Sequence, residues 1–212
     1  MEELIVRKPC GLWWPQADAK FNNSQWEIPV PKDVSAYCTE TNVCVQAGGR
    51  CGTYPILYSK FFKTVYTFEP ESLNFYCMQK NVTQDNIIMQ QACLGDSFKN
   101  VNVAIPLSRK HRNTNIGTYQ VSGDGAIPMI TIDSLNLDQC NLIHLDIEGY
   151  EGFAINGAIN TIKKFKPVIC LEVNGLGKAF GFSGATITSM LAELNYSYKI
   201  TVGDDMLFVC NG

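Results

Sequence analysis

The chain has 212 residues, 46% of them hydrophobic, with a formal charge of −3 and a pI near 5.4. That length reads as one domain with a core large enough to need no disulfide staples. The charge balance gives no general attraction to phosphate backbones or anionic lipid, so nucleic acid is a disfavoured partner. No apolar run approaches the ~20 residues of a membrane span, and Glu2 and Glu3 are followed by no signal-peptide block. A soluble, cytoplasmic protein is expected.

Residues 1 to 40 read as an irregular N-terminal segment. It holds all three tryptophans (Trp13, Trp14, Trp26), and Pro9, Pro15, Pro29 and Pro31 interrupt any long periodic element. From 41 to 212 the pattern becomes strand, turn, helix, strand, the signature of parallel strands joined by crossover helices. Strands are expected at 43–47, 64–68, 87–93, 142–147 and 167–173. Helices are expected at 53–61, 71–80, 150–164 and 184–194, the last started by Ser183 and carrying Ile187, Met190, Leu191 and Leu194 at helical spacing.

Between 100 and 135 short apolar runs alternate with glycine-containing turns such as Gly123 to Gly125, which suggests an inserted hairpin or edge strands. The tail from Tyr196 to Val209, broken at Gly203 to Asp205, reads as a final antiparallel hairpin. The basic cluster Arg109 to Arg112 reads as a solvated loop. The nine cysteines fall mostly in apolar runs with no CxxC pair or metal-ligand spacing, so reduced core thiols are expected.

Two ends of one sheet edge carry the chemistry. At the first, Gly48, Gly49 and Gly52 follow a strand and precede a helix, where they let the backbone come close to a ligand. About 20 residues on, Glu69 ends the next strand and can accept hydrogen bonds from vicinal ribose hydroxyls. A glycine-rich turn plus an exposed acid remains the plain alternative. Phosphate is a poor ligand here, with no Walker lysine and acids crowding the edge. A cationic or zwitterionic nucleoside such as S-adenosylmethionine fits better.

At the second end, the stretch LIHLDIEGYEG places Asp146 and Glu148 after a strand, on one side of it if the strand persists that far. VICLEVNG ends similarly with Glu172 and Asn174. These acids sit where an acceptor would lie, and one of them can take a hydroxyl proton. Glu151 reads as a helix-dipole partner and His144 as a packed, hydrogen-bonded core residue. Trp13 and Trp14 offer flat faces for an acceptor such as a sugar, or pack on the flank of the sheet.

With these motifs in hand, the chain resembles the FkbM-like branch of class I S-adenosylmethionine-dependent methyltransferases. The resemblance runs from about 42 to 210 through the turn Gly48 to Gly52 with Thr53 and Tyr54, FEP at 68–70, CLGD at 93–96, TIDSL at 131–135, LDIEGYE at 145–151, NGA at 156–158 and PVICLE at 167–172. It implies a Rossmann-like α/β fold with a mostly parallel seven-stranded sheet in order 3-2-1-4-5-7-6. It also implies methyl transfer to an oxygen of a sugar or secondary metabolite.

By position, Gly48 and Gly52 would approach the methionine portion of the cofactor, Glu69 the ribose, and Gly95 with Asp96 the adenine. Asp146 and Glu148 would face the methyl group and acceptor. The chain departs from the family pattern at Gln46, where an aspartate is usual, at Arg50, where asparagine is usual, and at His144, where lysine is usual. Gln46 keeps an acceptor oxygen without the charge, and Arg50 is placed to grip the cofactor carboxylate. These departures motivate a second reading, a cofactor-binding domain without catalysis. A third has the acid cluster hold a divalent ion that aligns the acceptor.

Overall fold

The computed structural model describes residues 1–18, 30–105 and 119–212. Trp26 and the basic cluster at 109–112 lie outside the described residues. The chain opens with an antiparallel hairpin of β1 (Ile5–Arg7) and β2 (Trp13–Pro15), turned at Gly11 with φ +90°. This is more regular than the proline spacing suggested, because Pro15 stands at the end of its strand, where a missing N–H costs no internal ladder bond. Helix α1 (Val30–Ser35) follows.

The chain then alternates β3 (Val43–Ala47), α2 (Thr53–Tyr58), β4 (Thr64–Phe68), α3 (Ser72–Asn81) and β5 (Ile87–Gln90). An excursion of four strands comes next: β6 (Cys93–Leu94), β7 (Lys99–Ala104), β8 (Gln120–Asp124) and β9 (Ile127–Ile130). The chain returns through β10 (Leu142–Leu145), α4 (Glu151–Asn156), α5 (Ile159–Phe165), β11 (Val168–Glu172), α6 (Gly184–Glu193), β12 (Tyr196–Val202) and β13 (Asp205–Cys210).

Seven strands form the central sheet in the order β5-β4-β3-β10-β11-β13-β12, parallel except for β13. Numbered along the chain within the sheet, this is 3-2-1-4-5-7-6, the order the family resemblance implies. All four residues of β10 are buried, as a central parallel strand covered on both faces requires. Val45, Ile143, Leu145, Ile169 and Leu171 face α4, α5 and α6 through Ala154, Ile155, Ile162 and Leu191. Cys44, Leu142, Cys170 and Leu207 point the other way, toward Val34, Ile56, Tyr58 and Cys77 of α1, α2 and α3. Period-2 alternation therefore assigns each strand residue to one of two core layers.

Two expected elements divide, each for a tertiary reason, and one ends early. The strand expected at 87–93 splits because β5 pairs with β4, whereas β6 leaves to pair with β9 in a second sheet of order β6-β9-β7-β8. The helix expected at 150–164 breaks at Gly157, whose hypothetical Cβ would lie 1.9 Å from the carbonyl oxygen of Gly95. Helix α5 restarts because the Asp133 carboxylate accepts the backbone N–H of Asn160 (3.1 Å) and of Thr161 (2.7 Å). The strand expected at 142–147 stops at Leu145, and Glu148 takes a left-handed φ of +56°. The terminal hairpin forms as β12 and β13. Helix α6 starts at Ser183, whose Oγ accepts the Thr186 N–H at 3.1 Å.

All nine cysteines are free thiols. No helix among the described residues is long and apolar enough to cross a membrane.

Candidate active site

Strand order reverses between β3 and β10, and a crevice outside the carboxyl ends of the strands is the usual ligand position at such a point. A cavity of about 890 Å³, including the open space at its mouth, occupies that crevice. Gly48, Arg50, Glu69, Asp146, Glu148 and Glu172 all line it. The two acidic ends inferred from sequence thus meet around one space.

On the β4 side, Glu69 is buried at 5% exposure. Its Oε2 accepts the Arg50 backbone N–H at 2.7 Å, its Oε1 accepts the Glu71 N–H at 2.9 Å, and Asn74 Nδ2 lies 3.5 Å from the same oxygen. Burial pushes this carboxyl up to about 7 against the pull of those backbone donors. The side chain is held rigidly by the glycine turn and the start of α3, with lone pairs left for donors in the cavity.

On the β10 side, the carboxyls of Asp146 and Glu172 lie close enough to titrate together. Burial first, and then the Asp146 charge, push Glu172 up to about 10, which favours its protonated form. Burial also raises Asp146, while its hydrogen bond from Glu172 opposes the rise. Asn174 Nδ2 donates to Glu172 Oε2 at 2.6 Å, so Asn174 meets the edge through that side chain. Glu148 stands on the turn after Asp146, and its carbonyl accepts from Gln120 Nε2 at 2.7 Å, which ties β8 to the turn.

Gly48 joins the two sides. Its φ is +83°, and a Cβ there would sit 1.9 Å from the Asp146 carbonyl oxygen. Only glycine lets the β3 turn and the β10 turn approach this closely.

The other glycines of the turn serve packing within the protein. A Cβ on Gly49 would meet Thr67 Oγ1 at 2.6 Å, and one on Gly52 would meet Val82 and Met78 at 3.1 and 3.4 Å. Gly49, Gly52, Gly95 and exposed Asp96 are not among the cavity-lining residues; Cys93 and Leu94 line it at that end.

Gln46 is fully buried away from the cavity. Its Oε1 accepts from Thr67 Oγ1 at 2.6 Å and its Nε2 donates to the Ala47 carbonyl at 3.0 Å. The Arg50 guanidinium pairs with Asp18 and lies 4.8 Å over the Trp14 ring. Trp14, 1% exposed, donates its indole N–H to Asp18 at 2.9 Å. Trp13 is fastened to α3 by two bonds with Asn81, at 2.7 and 2.8 Å. Neither tryptophan lines the cavity; both pack on the sheet flank. His144 is fully buried with Nδ1 2.8 Å from the Tyr58 hydroxyl.

Two groups of site residues escaped sequence reasoning. Val103, Tyr119 and Val121, from the ends of the β7 and β8 hairpin, wall the cavity. Their only sequence signal was a weak alternation in an insertion, which does not say where the insertion folds. Glu151 does more than answer a helix dipole. Buried at 3% exposure, its Oε1 accepts the Ile147 N–H at 3.0 Å and the Gly149 N–H at 3.2 Å, shaping the turn that carries Asp146 and Glu148. Burial lifts its carboxyl to about 7.

The sequence pattern of the methyltransferase FkbM domain matches residues 52–198. Among solved structures, the methyltransferase FkbM from Methylobacillus flagellatus KT aligns with TM-score 0.54 and 18% identity over 80% of this chain. The chain spans 43% of the length of that protein. A precorrin-6y C5,15-methyltransferase from Geobacter metallireducens GS-15 aligns with TM-score 0.49 and 11% identity, over 85% of each chain. A ribosomal protein L11 methylase from Lactobacillus delbrueckii subsp. bulgaricus aligns with TM-score 0.47 and 11% identity, over 94% of this chain and 84% of its own. No curated protein matches the chain by sequence. The topology, the cavity at the strand-order reversal and the match over most of the chain lead to one conclusion: the chain belongs to the FkbM family of methyltransferases.

Proposed function

We propose that the protein transfers a methyl group from S-adenosylmethionine to a hydroxyl oxygen of a small molecule, a sugar or secondary metabolite being the expected class. The observation that carries this reading is the single cavity with Glu69 on one wall and Asp146, Glu148 and Glu172 on the other. Bound S-adenosylmethionine supplies a methyl on a sulfonium whose positive charge disappears as the methyl leaves. Glu69, anchored by the Arg50 and Glu71 N–H groups, accepts from the two ribose hydroxyls. The acidic edge suits a ligand that carries an ammonium and a sulfonium, and Gly48, which lets the Asp146 backbone close in, brings the two walls of the cavity together.

Asp146 or Glu148 takes the acceptor proton as the new C–O bond forms. Glu172, fixed by Asn174 and Asp146, orients the acceptor oxygen. The rate enhancement comes mainly from holding the acceptor oxygen in line with the methyl.

Calorimetric titration with S-adenosylmethionine and its demethylated product tests the cofactor assignment, with Glu69→Ala as the weakened control. No binding to wild type at millimolar ligand would sink it. A screen of carbohydrates and metabolites for products heavier by CH₂ identifies the acceptor. Asp146→Asn and Glu148→Gln should then keep the cofactor and lose turnover; unchanged turnover in both removes the proton-acceptor role.

One observation favours a second reading, cofactor binding without catalysis: the Gln46 side chain is sealed by Thr67 and the Ala47 carbonyl, with no carboxylate at that position. A large gain in affinity in Gln46→Asp, with no turnover in wild type on any acceptor, would support it.

A further inference from the structure

The register of the central sheet sets three metal-ligating side chains side by side in its core. His144 on β10 lies directly beside Cys170 on β11, and neighbours in a parallel pair present side chains to the same face. Cys170 is in turn opposite Leu207 of β13, and Asp205, two residues earlier, is opposite Glu172. Asp205 therefore shares the face of Cys170. The imidazole, thiol and carboxylate each present a ligand atom within 4.8 Å of the other two, and all three residues are buried.

The His144 imidazole is incompletely satisfied. Its Nδ1 is 2.8 Å from the Tyr58 hydroxyl, but its Nε2 makes no hydrogen bond. Asp205 Oδ2 lies 3.3 Å from that nitrogen without hydrogen-bond alignment. A buried polar atom with no hydrogen bond costs about 1–3 kcal/mol and calls for an explanation, since the 3.3 Å contact with Asp205 is an ion pair only when the imidazole is protonated. Two ligand atoms on a tetrahedral zinc ion, each about 2.0–2.1 Å from the metal, stand roughly 3.3 Å apart. The nitrogen-to-oxygen separation thus has the length of one edge of a zinc coordination tetrahedron.

We propose that His144, Cys170 and Asp205 form a buried site for a divalent transition metal of the zinc type, placed one layer beneath the acidic edge. One imidazole, one thiolate and one carboxylate form a mixed donor set that suits zinc and disfavours magnesium or calcium, which take all-oxygen sets. The orienting partner of the ligand histidine is in place: with metal on Nε2, the Nδ1 proton donates to the Tyr58 oxygen. The Tyr54 ring meets the imidazole edge-on at 5.1 Å and the Tyr58 ring at 5.6 Å, which fixes its plane. Three protein ligands leave one position for water. Asp205 follows the exposed turn residues Gly203 and Asp204.

His144 and Cys170 each lie two residues before a site acid, Asp146 and Glu172 respectively. The ion would tie β10, β11 and β13 together under the carboxyl pair. This is a structural and positioning site, separate from any ion on the acidic edge.

Protein produced without a histidine tag, in cells supplemented with zinc, should hold about one zinc per chain by elemental analysis. Stripped protein titrated with cobalt(II) should show visible bands of four-coordinate cobalt and a near-ultraviolet thiolate charge-transfer band, both removed by zinc. Cys170→Ala should abolish the thiolate band and Cys210→Ser should keep it. Chelation should lower the melting temperature by about 5 °C or more. Less than about 0.1 zinc per chain together with no cobalt spectrum in wild type overturns the proposal, and that measurement needs no variant to fold. A thiolate band that survives in Cys170→Ala overturns the ligand assignment.

Discussion

The protonation of Glu69 makes a direct test of the proposed nucleoside end of the cavity. Its carboxyl is pushed from 4.5 up to about 7 by burial, while the N–H groups of Arg50 and Glu71 still point at its oxygens. Two ribose hydroxyls donate best to the ionised form, so the binding-competent fraction rises as pH climbs through about 7. For a group titrating there, about a tenth is ionised at pH 6 and about nine tenths at pH 8. Apparent affinity scales with that fraction, so Kd should fall about tenfold over the interval.

The probe should be 5′-methylthioadenosine, a neutral nucleoside with both hydroxyls and no ammonium or carboxylate of its own. Isothermal titration at pH 6, 7 and 8 reads the effect. In Glu69→Gln the slope should vanish and binding at pH 8 should weaken by about tenfold or more, one or two hydrogen bonds to a charge being lost. A wild-type Kd constant within about twofold, or an equal slope in Glu69→Gln, would refute the assignment. The same shift has a folding consequence of defined sign. The folded state keeps a proton that the unfolded chain releases between pH 4.5 and about 7, so this contribution to stability is lost as pH rises through that window.

Gly48→Ala should lower unfolding free energy by about 2–4 kcal/mol in urea titration, since the new Cβ meets the Asp146 carbonyl in a left-handed backbone; a cost below about 0.5 kcal/mol would contradict the close approach. Asp133→Ala removes the acceptor for the Asn160 and Thr161 N–H groups and for the Thr161 hydroxyl, and should cost about 1–2 kcal/mol, read as a melting temperature lower by about 2–8 °C. Glu151→Ala should cost about 1–3 kcal/mol and lower acceptor turnover more than nucleoside affinity, because it frees the turn of Asp146 and leaves Glu69 untouched; an equal loss in both would show that the turn is not its main target.

The strands, crossover helices, terminal hairpin and two acidic ends were legible in the residues because each rests on local spacing. Apolar runs ending in glycine or acid mark parallel strands, and LDIEGYE with the glycine turn marks the edge. The sheet order followed from the family resemblance. What the chain alone could not show depends on neighbours distant in sequence. Gly157 breaks a helix because the Gly95 backbone lies against it, and Asp133 starts the next helix from 27 residues away. Gln46 and Arg50 hold site positions in the chain, yet their side chains are engaged by Thr67 and by Asp18. Trp13 and Trp14, free on paper to cover an acceptor, are fastened to α3 and Asp18.

His144, Cys170 and Asp205 have no recognisable spacing, and only the pairing of β10 with β11 and of β11 with β13 gathers them. Sequence by itself determined most of the strands and crossover helices from residue 43 onward and which acids stand at their ends, because periodicity and turn chemistry act over a few residues. Tertiary structure decided which of those groups share a cavity and which are consumed by packing, because strand register and close backbone approach are set by contacts that local spacing does not encode.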